Sequence, residues 1–225
     1  MGCKTDIDFK KSVKKVNEIL ISSNTIASFP FSITDLVKEI SNDSIRCCSF
    51  KRASSFNLDV TDFGTRSAIL IDAIAGQEKS SIIFYNQEHI NTRIRFSIGH
   101  ELGHHVLEHD KNNKCKYPEY EIETNFFTAQ LLMPEQIIWE LIKRHVSITE
   151  ETLIKLFGVS KEAAQKRIET LKKRNNVYFT QEEKDVNDII LLKYKAFLDN
   201  IKPVYNRTDW FDEDYEMQKE RDNWY

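Results

Sequence analysis

Ser97-Ile-Gly-His-Glu-Leu-Gly-His-His-Val-Leu-Glu-His109 is the stretch on which the reading of the whole chain turns. Within it, His100-Glu101-Leu102-Gly103-His104 follows the pattern H-E-x-x-H. Two histidines four apart on a helix project from one face, about one turn of roughly 5.4 Å from each other, so both imidazoles can share one cation. Glu101 comes one position after the first histidine. Its carboxylate therefore falls beside the cation rather than on it, where it can hold and deprotonate a water. Arg95-Phe-Ser-Ile, Leu102, Val106 and Leu107 give an apolar stripe at helical spacing, which predicts a helix with one buried face. Gly103 costs a helix interior about 1 kcal/mol relative to alanine. Its place between the histidines predicts open space above the cation or the close approach of a neighbouring strand.

Three protein ligands leave a fourth position for water at a catalytic metal. C-terminal to the motif, residues 110–118 read as a polar loop with Pro118, and Glu119 to Leu132 as a helix ending at Met133-Pro134. A glutamate on that helix is the expected third ligand. Glu121 and Glu123 point roughly 200° apart on a helix of 3.6 residues per turn, so only one can face the histidines. The pattern Glu121-x-x-Thr124-Asn125 favours Glu121, with Asn125 one turn on and able to bond the second nitrogen of a ligand histidine. His89, His105, His109 and His145 are expected at the surface or supporting the ligands. Tyr85, Tyr117 and Tyr120 are candidates to face the substrate, and Arg93 and Arg95 to orient the motif helix.

N-terminal to the motif, residues 6–22 and 32–42 carry apolar residues at helical spacing, with Pro30 breaking the chain between them. Residues 44–85 change character. Ile45-Arg-Cys-Cys-Ser-Phe, Ser67-Ala-Ile-Leu-Ile-Asp and Ser81-Ile-Ile-Phe-Tyr are β-prone runs separated by turn signals at Asp62-Phe-Gly-Thr and Gly76-Gln-Glu-Lys. They predict a small three-stranded, largely antiparallel sheet whose last strand leads into the motif helix. In peptidases built this way, an edge strand beside that helix receives an extended substrate by strand addition.

Two runs together carry a resemblance to a known family. Arg93-x-Arg95-Phe-Ser-Ile-Gly-His-Glu-Leu-Gly-His-His, followed by Glu121-x-Glu-Thr-Asn-x-Phe-x-x-Gln-Leu-Leu-Met-Pro134, resembles the ImmA/IrrE zinc metallopeptidases over residues 30–175. Thr124 and Thr128 stand where that family has alanine, a small-for-small change that bears on packing. The resemblance implies an α+β, mainly helical zincin-like core followed by a helical hairpin. It implies Zn²⁺ held by His100, His104 and Glu121, with Glu101 as general base. The residues themselves add Asn125, Tyr85, Arg95 and Glu123 as candidates to support the ligands or contact the substrate. The resemblance also implies a bacterial, cytoplasmic protein whose protein substrate is a helix-turn-helix repressor, cleaved to release stress-response or mobile-element genes. The alternative is a regulatory or toxin–antitoxin-type binding protein with a structural or inactive metal site. A complete H-E-x-x-H argues against that alternative.

The 225 residues are 40% hydrophobic and 30% charged with a net charge of -3, which permits a sizeable core and gives no basic footprint. No run approaches the roughly 18 apolar residues of a spanning helix, and no leader is evident, so no membrane partner is expected. Cys3, Cys47, Cys48 and Cys115 lack C-x-x-C spacing and are expected reduced. The expected divisions are a peptidase domain at 1–145, a helix-turn-helix-like segment at 146–175, and a C-terminal helix with an acidic, aromatic tail at 176–225. In the middle segment Thr149 and Ser160 are expected to cap two helices and Gly158 to turn between them. Lys161, Gln165, Lys166 and Arg167 would carry any DNA contact. Direct DNA binding is not expected from a chain of negative net charge.

Overall fold

A computed structural model describes residues 7–64, 66–75, 78–110, 113, 115–173 and 180–202. The chain divides into two compact units, Met1–Leu132 and Met133–Tyr225. The first is α+β. It runs α1 (Phe9–Ser22), α2 (Ile33–Ile40), β1 (Ile45–Ser49), two 3₁₀ segments (Phe50–Phe56 and Val60–Phe63), β2 (Ala68–Ala75), β3 (Glu78–Tyr85), α3 (Asn91–Val106) and α4 (Tyr117–Leu132). Side-chain caps start the first two helices: Asp8 accepts from the Lys11 amide and Ser32 from the Asp35 amide.

The sheet order is β1-β3-β2. β2 and β3 form an antiparallel hairpin with Ala68 opposite Tyr85 and Leu70 opposite Ile83. β1 pairs with β3 in parallel, Ile45 opposite Ser81 and Ser49 opposite Tyr85. The sheet is thus mixed, not largely antiparallel. The strand with Ile82, Ile83 and Phe84 in a row inserts between the other two rather than following β2 at an edge. Both faces of that strand are covered, which explains why the sequence shows runs instead of polar–apolar alternation. One face carries Ile69, Ile71, Ile82 and Phe84 into a cluster with Cys48, Phe50, Ala53 and Phe63 from β1 and the 3₁₀ segments. Phe63 stacks on Phe84 at 5.5 Å between ring centroids. On the other face Ala68, Leu70 and Ile83 are buried, and α3 lies against β2 and β3. Because β3 takes the centre, β2 becomes the edge strand beside the motif helix.

The second unit runs α5 (Glu135–Lys143), α6 (Glu150–Phe157), α7 (Lys161–Lys173), α8 (Gln181–Lys193) and α9 (Lys195–Asp199). Thr149 caps α6, and Gly158 ends it in the left-handed region at φ 61°, a conformation that glycine adopts without strain. The C-terminal helix expected within 176–225 is two helices, α8 and α9, with the break at Tyr194. Arg167 is buried, 1% exposed, and its Nε donates to the Met133 carbonyl at 3.0 Å. Lys166 bonds Glu162 and Lys161 pairs with Glu150. A residue proposed to reach a DNA groove is therefore part of the interior. The acidic tail with Trp210, Phe211 and Trp224 lies outside the described residues. Among the described residues no helix is long and apolar enough to cross a membrane.

Candidate metal centre

α3 and α4 meet at closer range than ordinary side chains permit. A Cβ added to Gly103 would lie 2.8 Å from Thr124 Cγ2 and 2.9 Å from Phe127 Cδ1. A Cβ on Gly99, one turn earlier, would lie 3.0 Å from Thr128 Cγ2. The glycine inside the motif thus admits a helix, neither a strand nor open space. The two threonines that stand for alanine fill this seam. Their hydroxyls bond back to their own helix: Thr124 to the Tyr120 carbonyl at 2.6 Å and Thr128 to the Thr124 carbonyl at 2.8 Å.

The close approach brings His100, His104 and Glu121 together. The two Nε2 atoms are 3.1 Å apart, and they lie 3.3 and 3.2 Å from the two carboxylate oxygens of Glu121. Metal–ligand bonds of about 2.0–2.1 Å at tetrahedral angles place neighbouring ligand atoms roughly 3.3 Å apart, so the three groups fit one cation without rearrangement. Asn125 Oδ1 lies 3.2 Å from His100 Nδ1, which turns the other ring nitrogen toward the shared point. Glu101 is not part of the group. Its Oε2 accepts the Leu70 amide of β2 at 2.9 Å, which holds the carboxylate beside the ligands. A cleft of about 460 Å³ opens over this group. Residues 66–70 form one wall, and Tyr117, Tyr120 and Glu121 the other.

The remaining candidates are placed as follows. Glu123 faces away from the cleft, with Oε2 3.0 Å from His109 Nε2 and Oε1 accepting the Asp8 amide at 2.6 Å. Tyr85 ends β3 opposite Ala68 and Ser49 and does not line the cleft. Arg95 does not line it either: it donates to the Phe31 carbonyl and lies over the Phe31 ring, on the side of α3 toward α2. Tyr117 and Tyr120 do line it, and His105 and Cys115 are exposed. Sequence reading gave Thr124 a role in packing only, and its Oγ1 also lies 3.4 Å from His104 Nδ1. Its signal was the departure from alanine.

Burial pulls His100 down, but the hydrogen bond and charge of Glu121 and the charge of Glu101 outweigh it, and its pKa is raised above the ordinary value. The hydrogen bonds from His100 and His104 hold the Glu121 carboxyl well below the usual carboxylate range. Glu121 is thus ionised throughout the neutral range, while His100 takes up a proton sooner on acidification than a free imidazole near pH 6.5. A proton on His100 competes with a cation. Apparent Co²⁺ affinity of the metal-free protein should therefore decline already as pH falls from 8 to 6, approaching about tenfold per pH unit once His100 is protonated. Calorimetric titration across that range checks this, and a flat affinity would contradict it.

A model of peptidase family M78, the IrrE N-terminal-like domain, matches residues 57–169. No curated protein matches the chain. The match spans the sheet hairpin, both helices of the His-His-Glu group and the α6–α7 hairpin, and the chain belongs to the M78, IrrE N-terminal-like, peptidase family.

Proposed function

We propose that the protein is a zinc-dependent endopeptidase that cleaves a helix-turn-helix transcriptional repressor, releasing stress-response or mobile-element genes. The observation that carries the peptidase reading is the position of Glu101. It is held by the edge strand at the mouth of a His-His-Glu group and is not consumed as a ligand. His100, His104 and Glu121 would hold the ion, a donor set that suits zinc with a fourth position left for water. A cation bound there supplies Lewis acidity toward a carbonyl oxygen and makes water a better nucleophile near neutral pH.

The chain's own groups do the rest. The substrate lies extended along the outer edge of β2, on the wall formed by residues 66–70, with its scissile carbonyl over the His-His-Glu group. Glu101 holds the attacking water through the carboxylate oxygen not taken by Leu70, accepts its proton, and returns it to the leaving amine nitrogen. Tyr117 donates to Glu121 from the cleft wall and can turn that single hydroxyl hydrogen to the oxyanion as it forms. The repressor as substrate, and a cytoplasmic setting, rest on the resemblance of the two motifs to the ImmA/IrrE peptidases.

The test is incubation of the zinc-loaded protein with the helix-turn-helix repressor encoded beside it, with and without chelator, followed by mass determination. Two fragments whose masses sum to the repressor plus water, formed only without chelator, are expected. An intact repressor beside an enzyme that cleaves another protein would overturn the substrate. Fragments that persist in chelator would overturn the metal mechanism.

A further inference from the structure

The polar contacts of His104 continue through His109, which also lines the cleft, to Glu123, which does not. His104 Nδ1 lies 3.0 Å from His109 Nδ1. His109 Nε2 lies 3.0 Å from Glu123 Oε2. Glu123 Oε1 accepts the backbone N–H of Asp8 at 2.6 Å. The His109 and Glu123 side chains are only 4% and 9% exposed. A neutral imidazole against an ionised carboxylate has one hydrogen-bonding arrangement here. The carboxylate accepts only, so His109 must donate from Nε2 and keep Nδ1 bare. The bare Nδ1 then accepts from Nδ1 of His104, and a cation would take the place of the Nε2 hydrogen that bonds Glu121 in its absence. Thr124 does not compete as a donor, because its hydroxyl hydrogen is committed to the Tyr120 carbonyl.

The backbone places His109 for this task. α3 ends in a paired C-terminal turn: the His109 amide bonds the His104 carbonyl at 3.1 Å and the Glu108 amide bonds the His105 carbonyl at 3.1 Å. Glu108 occupies the left-handed region at φ 58°, where glycine is the usual residue. The turn folds His109 back under His104. The His109 ring then stacks on Tyr120, with centroids 4.2 Å apart and planes 12° from parallel, which limits its rotation. Lys11 of α1 holds the same turn by donating to the Leu107 carbonyl at 2.5 Å.

We infer that His109 and Glu123 are positioning residues: a buried carboxylate–imidazole pair that sets which nitrogen of His104 faces the cation and holds that ring in place. The histidines are locked differently, His100 by one amide oxygen and His104 by a two-residue chain anchored to the start of α1. The inference rests on the reading of His100, His104 and Glu121 as ligands. Groups that orient a ligand in this way typically contribute 10–100-fold to metal affinity.

The test is Co²⁺ titration of the full-length metal-free protein, read by calorimetry and by visible absorption. His109→Phe keeps a flat ring against Tyr120 and removes both nitrogens. His109→Asn gives up the stacking and keeps an acceptor close to the place of Nδ1. The expected result is a 10–100-fold loss of Co²⁺ affinity and an altered absorption band in His109→Phe, with most of the affinity recovered in His109→Asn. A merely structural role predicts the reverse order, since phenylalanine packs better there. Wild-type binding by His109→Phe, or weaker binding by His109→Asn than by His109→Phe, would overturn the proposal. If His109→Phe does not fold, Glu123→Gln decides: weakened binding supports the relay and unchanged binding removes it. His104→Ala separates the two levels. If it abolishes Co²⁺ binding while His109→Phe binds normally, the relay alone falls. If His104→Ala binds normally, the ligand assignment falls with it.

Discussion

Replacing Glu101 by Gln should lower proteolysis by about 10²–10⁴-fold while leaving metal affinity and thermal stability near those of the parent. The substitution keeps the side-chain volume. Its amide oxygen can still accept the Leu70 N–H that Oε2 accepts at 2.9 Å, so β2 and α3 stay in register. What it removes is the second acceptor. The NH₂ that replaces it donates only, and can neither align nor deprotonate a water. His100, His104 and Glu121 do not bond through Glu101, so the cation-binding group is untouched. The measurement is cleavage of the repressor by Glu101→Gln at metal saturation, beside a Co²⁺ titration of the same sample. Full activity with full metal would refute the assigned base. Lost activity with lost metal would show instead that Glu101 serves the ligand group.

Much of this centre was legible in the sequence because its parts are short-range. A spacing of four positions from His100 to His104, and of four from Glu121 to Asn125, places side chains on single helix faces whatever surrounds them. Helix ends at Ser32, Thr149 and Gly158 were readable because caps and turns act within a few residues. What was not legible depends on which elements become neighbours. In β3, burial of Ile82, Ile83 and Phe84 on both faces leaves no alternation to read, and no local sign of the order β1-β3-β2. Arg167 reads as a surface base in a helix-turn-helix pattern, and only packing shows that its guanidinium reaches the Met133 carbonyl. His109 is five residues from His104, off the face that a straight helix would give it. The turn at Glu108 brings it back, and a glutamate in the left-handed region carries no local signal. Gly103 was flagged by its cost to the helix, but not by what approaches it.

That approach makes Gly103 the position where a small change should do the most structural harm. A methyl group there would stand 2.8 Å from Thr124 Cγ2 and 2.9 Å from Phe127 Cδ1, and both residues are fully buried, 0% exposed. Alanine gains about 1 kcal/mol of helix propensity over glycine. Overpacking of a tight interior costs about 1–3 kcal/mol, and here two neighbours would have to yield at once. The expected net effect of Gly103→Ala is destabilisation by about 1–2 kcal/mol, and more for Gly103→Val. Glu121 lies one turn before Thr124 on α4, so moving α4 outward also widens the gap between its carboxylate and the two imidazoles. Metal affinity should therefore fall together with stability, although no ligand has changed. Gly99→Ala provides the contrast: its Cβ meets one threonine methyl at 3.0 Å, and the propensity gain largely offsets the crowding. Adding Thr124→Ala to Gly103→Ala removes the nearer obstacle and leaves the Phe127 ring, so it should restore stability and Co²⁺ affinity in part. Thermal denaturation and Co²⁺ titration of the four variants check this. A Gly103→Ala protein as stable as the parent, with unchanged affinity, would mean that the α3–α4 seam is looser than these distances require.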